Sequence, residues 1–174
     1  VIGEIISDIE KKVMNIVLVG MPGSGKTTVG RALADKLGRA FIDTDAEIEK
    51  RRGMSIPDIF AAYGEEYFRA LEGEVVADAA KASGTIISTG GGVPIREENR
   101  RALEQNGFIC FIERPLDALD TSGRPISKTA EIGELYKRRL PLYLSMCDAR
   151  VSNDGNANDI VQQIINNIIT NTDK

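Results

Sequence analysis

The sequence contains no histidine and no tryptophan, and only two of its 174 residues are cysteines. Without histidine, the chain cannot build a Ser-His-Asp triad, a histidine-ligated metal site or histidine acid–base chemistry. The two cysteines are too few for a disulfide framework, and Cys110 lies inside an apolar run that is typical of a strand. We therefore expect free thiols and a reducing, cytoplasmic location.

Long apolar runs and an excess of positive charge are also missing. No stretch of about 18 apolar residues is present that could span a membrane, and residues 1–12 alternate apolar and charged side chains, unlike a signal peptide. The formal net charge of −4 argues against a nucleic-acid-binding surface. A composition of 42% apolar and 28% charged residues is typical of a soluble globular protein, and the length favours one compact domain.

One motif in the chain is specific on its own. Residues 20–27 read Gly-Met-Pro-Gly-Ser-Gly-Lys-Thr, follow an apolar run and open a helix-like segment. This is the setting of a P-loop, in which backbone N–H groups cradle phosphates, a lysine reaches the outer phosphates and a hydroxyl holds Mg²⁺. A plain glycine turn would leave the Lys-Thr pair unexplained. The sequence therefore predicts a nucleoside triphosphate site formed by Gly23, Ser24, Gly25, Lys26, Thr27 and Thr28.

Short apolar runs alternate with helical periodicity along the chain. Five buried strands are predicted at residues 15–20, 40–43, 85–88, 107–112 and 149–152. A helix after the P-loop is predicted by Val29, Leu33 and Leu37, with Gly38 as its C-cap. A last helix is predicted by an apolar stripe formed by Val161, Ile164, Ile165, Ile168 and Ile169. The alternation predicts an α/β fold with a parallel five-stranded sheet, helices on both faces and ligands at the carboxyl ends of the strands.

Two carboxylates follow the second predicted strand. Thr44 and Glu47 have the spacing of a capping box, which would explain this segment without any function. Beside a P-loop, however, Asp43 and Asp45 can divide labour: one orients water on Mg²⁺ and the other hydrogen-bonds an acceptor hydroxyl. Because capping does not exclude function, both interpretations stand. Asp45 is the only plausible base that the motifs provide.

Two arginines are candidates for binding an anionic substrate. Arg69 and Glu72 have i,i+3 spacing on a predicted long helix, which is typical of a solvated surface ion pair. The same spacing also suits a guanidinium that a carboxylate keeps in one orientation to receive an anion. Arg139 could join Arg69 around one carboxylate, although taken singly it would be a surface residue.

Two loops carry further signals. Gly90, Gly91 and Gly92 directly follow a buried strand, and three consecutive glycines indicate close approach of the main chain to a ligand. A sharp turn could account for one or two of them. Arg124 stands in a Gly-Arg-Pro loop, which suits a mobile lid that carries a transition-state arginine as well as it suits a surface loop.

Together these motifs resemble the shikimate kinases. The P-loop, residues 41–45, residues 64–72, the triple glycine, Arg124-Pro125 and Arg139 ahead of Pro141-Leu142-Tyr143 match that family in order and spacing, over about residues 15–169. The resemblance implies a P-loop, nucleoside-monophosphate-kinase-like three-layer fold. It also implies transfer of the ATP γ-phosphate to the 3-hydroxyl of shikimate, a step of chorismate and aromatic amino acid biosynthesis, with ATP and Mg²⁺ as cofactors.

The resemblance assigns roles to individual residues. It makes Lys26, Asp45 and Arg124 catalytic, with Arg124 on the lid, and places Mg²⁺ on Thr27 and, through water, on Asp43. It assigns shikimate binding to Asp45, Arg69, Gly90, Gly91, Gly92 and Arg139. In one respect the chain departs from the family: an arginine that packs on adenine is commonly found before the lid, whereas residues 119–121 are Leu-Asp-Thr and the lid is shortened. Arg150 or the backbone after it could compensate.

The predicted organisation is an amino-terminal extension at residues 1–13 and one kinase domain at 14–170. Within that domain we expect a substrate-binding helical segment at about 44–83 and the lid at about 114–130. We expect a monomer with no nucleic-acid or membrane partner. Three alternatives stay open: a kinase for another small polyol such as gluconate, a GTP-driven switch, and a nucleotide-binding module without turnover. The absence of an Asn-Lys-x-Asp motif argues against the switch, and the intact Asp45, Arg69 and Arg139 argue against the module.

Overall fold

The computed structural model describes residues 13–119 and 128–172. The part described contains one parallel sheet with the strands β1 Asn15–Val19, β2 Phe41–Asp43, β3 Ile86–Ser88, β4 Gly107–Glu113 and β5 Ala149–Ser152. The order across the sheet is β2-β3-β1-β4-β5. The prediction of five parallel strands is confirmed, with every boundary within one residue. Residues 1–12 of the predicted extension and residues 120–127 of the predicted lid lie outside the described residues.

Helices connect the strands on both faces of the sheet. In the described part of the chain they are α1 Lys26–Leu37, α2 Thr44–Arg52, α3 Ile56–Ala80, α4 Glu97–Glu104, α5 Lys128–Met146 and α6 Ala157–Thr172. Gly38 ends α1 with a φ of 63°, which confirms the predicted C-cap. Of the helices that the structure describes, none is long and apolar enough to cross a membrane.

The core is divided into two halves by the central strand β1. Ile16 and Leu18 point to one face of the sheet and Val17 and Val19 to the other, as the period of two in a strand requires. The first face is covered by α1 and α6 and the second by α3, α4 and α5. Of the stripe predicted on α6, Val161, Ile164 and Ile168 are buried and Ile165 is partly buried, as predicted. Ile169 is instead 49% exposed, and Ile160, outside the predicted stripe, is fully buried.

The register of the parallel strands brings their carboxyl ends to one edge. Leu18 of β1 pairs with Ser88 of β3 and with Cys110 of β4, and Asp43 of β2 pairs with the same Ser88. The P-loop after β1, the carboxylates after β2 and the triple glycine after β3 therefore meet at this edge. This is where ligands bind in open parallel sheets.

Helix α3 differs from the single regular helix that the sequence predicts. Gly64 has φ 81° and ψ 176°, which only glycine adopts readily, so two helical segments join there at a kink. Ile59 before the kink and Phe68 and Val75 after it pack with Ile48 of α2 in a third apolar cluster. This cluster fixes the segment that carries Arg69 and Glu72 against the rest of the fold.

Two helical glycines form a matched pair for testing the packing between α1 and the sheet. A Cβ at Gly30 would lie 2.6 Å from Cε2 of Phe41 and 3.3 Å from Cδ1 of Leu18, whereas a Cβ at Gly133 in α5 would meet nothing within 4 Å. We expect Gly133→Ala to stabilise the protein by about 0.5–1 kcal/mol through helix propensity alone. Gly30→Ala should instead lower the free energy of unfolding by about 1–2 kcal/mol, because overpacking outweighs that gain. Urea unfolding measures both, and equal stabilisation by the two substitutions would contradict this packing.

Candidate active site

The turn between β1 and α1 has the geometry of a phosphate-binding loop. Gly20, Gly23 and Gly25 all have φ values of the kind that glycine favours, at 150°, 78° and 90°. Gly25 is the N-cap of α1 and supplies no side-chain cap. The first N–H groups of the helix are therefore left for an anion, as at other helix termini that bind phosphate.

Lys26 places a buried cation inside this loop. It is 7% exposed, and its Nζ donates to the carbonyl oxygens of Gly20 at 3.0 Å and Met21 at 2.8 Å and to Oγ of Ser24 at 3.3 Å. Burial lowers the pKa of Lys26 to about 8, while the charges of Asp45 and Asp43 act in the opposite direction. At neutral pH the side chain is thus mainly an ammonium, as charge neutralisation on a phosphate requires.

Asp43 joins the P-loop to helix α2. Its Oδ2 accepts a hydrogen bond from the hydroxyl of Thr27 at 2.7 Å, and its Oδ1 accepts from the backbone N–H groups of Asp45 at 3.0 Å and Ala46 at 3.2 Å. Asp43 is therefore the N-cap of α2, and the predicted capping box of Thr44 and Glu47 is wrong. The hydroxyl of Thr44 is occupied elsewhere, because it accepts from the N–H of Gly90 at 3.0 Å.

The Thr27 and Asp43 oxygens suit a magnesium ion. Mg²⁺ takes oxygen ligands and usually keeps several waters and substrate phosphates, so one or two protein ligands are sufficient. The described residues contain no cluster of three or more histidine, cysteine or carboxylate side chains that could hold a metal by itself. The donor set therefore fits a metal shared with phosphates and does not fit a structural metal centre.

Asp45 is a carboxylate in a partly buried, acidic setting. Burial, together with the charges of Asp43 and Glu72, raises its pKa to about 6 against the opposing charge of Lys26. A carboxylate with a pKa close to neutral is a better proton acceptor than an exposed one. Asp45 thus has the properties expected of a group that accepts a hydrogen bond from a reacting hydroxyl.

Each glycine of the triple-glycine segment faces a different charged side chain. A Cβ at Gly90 would clash with the carboxylate of Asp45, and one at Gly92 would lie 2.7 Å from Cζ of Arg69. One at Gly91 would lie 2.6 Å from Cδ of Pro22 and 3.1 Å from Nη1 of Arg139. None of these three glycines has a positive φ. The segment therefore needs glycine for space and not for a special turn, and it gathers three of the predicted site residues around one strand end.

Arg69 is held by two carboxylates. Its Nη1 donates to Oε2 of Glu72 at 2.8 Å, and its Nε lies 3.5 Å from Oε1 of Glu65 without hydrogen-bond geometry. The Glu72 side chain is only 1% exposed, and burial raises its pKa despite the charge of Arg69. The interpretation of this pair as a solvated surface ion pair is wrong. A buried pair is expensive to desolvate and adds little net stability, so its rationale lies in holding Arg69 in place.

Tyr143 supports the backbone of the triple glycine, a role that no sequence motif revealed. Its hydroxyl donates to the carbonyl oxygen of Gly91 at 2.7 Å, and its ring stacks on Phe111 with centroids 5.0 Å apart. Burial raises the pKa of Tyr143 to about 12, so it stays a donor. Arg139 lies four residues earlier on α5. This i,i+4 spacing is the sequence signal that could have placed the two side chains on one face of the helix.

Two adjoining cavities open at this edge of the sheet. One, of about 520 Å³, is lined by Lys26, Thr27, Asp43 and Asp45 together with Thr89 and Gly91. The other, of about 460 Å³, is lined by Gly25, Thr28, Asn153, Asp154, Gly155 and Arg114. The P-loop forms the boundary between them, and the amide of Asn153 donates to the carbonyl oxygen of Ser24 at 2.7 Å across that boundary.

The sequence predicts two nucleotide-binding arginines, Arg124 and Arg150. Arg124 lies outside the described residues. Arg150 donates from Nε and Nη2 to the carboxylate of Glu113, at 2.7 and 2.6 Å, and does not line either cavity. Arg114, which no sequence motif indicates, lines both of them.

Comparisons with known proteins agree on one family. The sequence model described as shikimate kinase matches residues 22–169. A shikimate kinase of Symbiobacterium thermophilum is 42% identical over 164 residues, covering 87% of this chain and 94% of the relative. The solved structure of shikimate kinase from Acinetobacter baumannii in complex with shikimate matches with a TM-score of 0.87 at 35% identity, over 95% of this chain and 98% of that one. The shikimate kinase of Aquifex aeolicus matches with a TM-score of 0.80 at 36% identity, over 91% and 98%. These matches confirm the predicted nucleoside-monophosphate-kinase-like fold.

The hydrogen bond from Tyr143 to Gly91 gives a direct test of the site's scaffold. Tyr143→Phe leaves a buried carbonyl without its donor, so we expect the free energy of unfolding to fall by about 1–2 kcal/mol. The matched control is Tyr63→Phe, at a tyrosine that is 48% exposed, where the change should stay within about 0.5 kcal/mol. Denaturant unfolding followed by circular dichroism measures both. Equal losses would remove Tyr143 as a support of the triple glycine.

Proposed function

The chain belongs to the shikimate kinase family, and we propose that it transfers the γ-phosphate of ATP to the 3-hydroxyl of shikimate, giving shikimate 3-phosphate and ADP. The observation that carries this proposal is the grouping of Asp45, Arg139 and Arg69 on three successive glycines beside the P-loop. The arrangement offers a carboxylate for a hydroxyl and two guanidinium groups for an acid. It lies within reach of a nucleotide site formed by the same sheet edge.

The acceptor site has the charge pattern of a hydroxylated carboxylic acid. Arg69 is oriented by Glu72, and Arg139 lies against Gly91, so both guanidinium groups can bind one substrate carboxylate. The Nε atoms of both arginines are buried and have no hydrogen-bond partner among the described residues. A neutral polyol would bring no negative charge to these two guanidinium groups. We therefore propose that Asp45, Arg69, Arg139 and the backbone of Gly90, Gly91 and Gly92 bind shikimate.

The nucleotide site is proposed to hold ATP by its phosphates. Backbone groups of Gly23, Ser24 and Gly25 would surround the phosphates, with Lys26 and the hydroxyl-bearing Thr27 and Thr28 completing the site. Thr27, and Asp43 through water, would hold Mg²⁺, which when bound neutralises negative charge on the phosphate oxygens. We also propose Arg124 as the lid arginine.

The chemistry asks the protein for position and charge more than for covalent help. In a loose phosphoryl transition state the attacking oxygen forms little bond, so alignment by a hydrogen bond to Asp45 contributes more than early proton removal. Lys26 neutralises the charge on the transferred group from inside the loop. When the hydroxyl proton leaves, the carboxylate of Asp45 is the acceptor within this group of residues.

A steady-state assay that couples ADP release to a panel of hydroxylated acids and neutral polyols tests the proposal. Turnover with shikimate alone among the panel supports it, turnover with gluconate in its place favours the polyol kinase, and nucleotide binding without turnover favours the regulatory module. The proposed residues all come from one chain. The monomeric state and the cytoplasmic location remain predictions.

The carboxylate of the acceptor is the feature on which specificity depends. We expect Arg69→Met and Arg139→Met each to weaken shikimate binding by about 1.5–3 kcal/mol, the range for hydrogen bonds to charged groups. Their effects should be less than additive, because both guanidinium groups touch one carboxylate. Titration calorimetry with shikimate and with a decarboxylated analogue measures this, with Arg101→Met, at an exposed arginine, as the control. Wild-type protein that binds the neutral analogue as well as the acid would refute the assignment.

Asp45 should affect turnover and not nucleotide binding. Asp45→Asn keeps the shape and one acceptor oxygen but loses the charge, so we expect the turnover number to fall by about 10² or more at saturating shikimate. The Kd for ATP should stay close to that of the wild type. Asp35→Asn on the exposed side of α1 is the control and should leave both constants unchanged. A change confined to ATP affinity would move Asp45 into the nucleotide site and end its proposed role.

A further inference from the structure

Arg114 stands at the junction of the two cavities. It follows the last residue of β4, at the carboxyl edge of the sheet, and it lines both the cavity that contains Lys26 and the one that contains Asn153. Its Nη1 lies 3.5 Å from the carbonyl oxygen of Gly23, at the limit of a hydrogen bond. The guanidinium therefore lies against the P-loop, where the two cavities share Gly25 and Thr28.

The main chain around Arg114 is fixed on both sides. Before it, the carboxylate of Glu113 accepts hydrogen bonds from Tyr136 of α5 at 2.8 Å and from Arg150 of β5, and the carbonyl of Glu113 accepts from the N–H of Asn153 at 2.7 Å. After it, Pro115 restricts the residue that precedes it to extended backbone. The backbone at Arg114 is thus held in place, which limits the conformational entropy that is lost when the side chain binds a ligand.

The guanidinium of Arg114 has no carboxylate partner in the part of the chain that the structure describes. No carboxylate lies within 4 Å of its guanidinium in the ranges 13–119 and 128–172, whereas Arg150, Arg69 and Arg51 all have such partners. It is the only cationic side chain among the described residues that line the second cavity, which also contains the acidic Asp154. An unpaired, partly buried guanidinium with a fixed base is suited to bind an anion.

We propose that Arg114 is a nucleotide-binding residue whose guanidinium contacts the phosphate chain where it passes from the P-loop toward the second cavity. The inference rests on the proposed function only in that the ligand is ATP or ADP. A nucleotide whose outer phosphates occupy the P-loop and whose nucleoside enters the second cavity has to pass the boundary that Gly25, Thr28 and Arg114 form. Arg114 then supplies a cation at this boundary, which Arg150, bound to Glu113, does not provide.

Binding of ADP and adenosine to the protein without acceptor tests this inference. We expect Arg114→Met to raise the Kd for ADP by about tenfold to a hundredfold, the effect of losing hydrogen bonds to a charged group. The Kd for adenosine should change by less than about twofold, because adenosine has no phosphate. Arg114→Gln is a second neutral variant that should behave alike if the methionine variant is poorly folded, and Arg101→Met is the matched control. Thermal unfolding verifies that each variant is folded.

The outcomes separate this inference from the proposed function. An unchanged Kd for ADP in a folded Arg114 variant overturns it, and so does an equal loss of ADP and adenosine binding, which would place the guanidinium on the nucleoside. Both results are independent of the acceptor. Wild-type protein that binds ADP but does not phosphorylate shikimate would refute the proposed function and leave the role of Arg114 intact.

Discussion

The lack of side chains at residues 90–92 is the constraint on which the site depends. A methyl group would meet Asp45 at residue 90, Arg69 at residue 92, and both Pro22 and Arg139 at residue 91. The three charged groups come from α2, α5 and α3, which share no short-range relation in the sequence. They converge because the backbone after β3 leaves room for them, and because Tyr143 and Thr44 hold that backbone by hydrogen bonds to Gly91 and Gly90. The geometry of the proposed acceptor site thus depends on a strand end without side chains.

The charges at this edge of the sheet are mutually dependent. Lys26 is held cationic by Asp45 and Asp43 against the effect of burial, and Asp45 is in turn kept from a still higher pKa by Lys26. Arg139 acts on both sides of this balance, since it opposes the charge of Lys26 and favours that of Glu72. A phosphate or a carboxylate that enters adds negative charge to a group of buried cations. The energetic cost of burying these cations in the folded protein is therefore offset when a ligand binds.

The sequence could predict the features that depend on residues close together in the chain. The P-loop, the strands and the end of α1 at Gly38 depend on neighbouring residues, and the structure agrees with them within one residue. Partners that are distant in the chain could not be predicted in this way. Thr44 has the spacing of a cap, yet its hydroxyl bonds to Gly90 and Asp43 caps the helix in its place. Arg150 has the position of a nucleotide ligand, yet Glu113 binds it. In each case a tertiary contact replaces the interaction that the local sequence pattern predicts.

Glu113 illustrates how one such contact decides several others. Its carboxylate joins α5 to β5 through Tyr136 and Arg150, and its carbonyl oxygen accepts from Asn153, whose amide in turn binds Ser24 of the P-loop. The chain after β4 is thereby linked to the loop after β5 and to the phosphate-binding turn. Because Glu113 binds Arg150, we propose the adjacent Arg114 as the guanidinium that binds a ligand. Arg114 directly follows β4 and Arg150 lies on β5, so the proposal changes which arginine meets the nucleotide and leaves the fold unchanged.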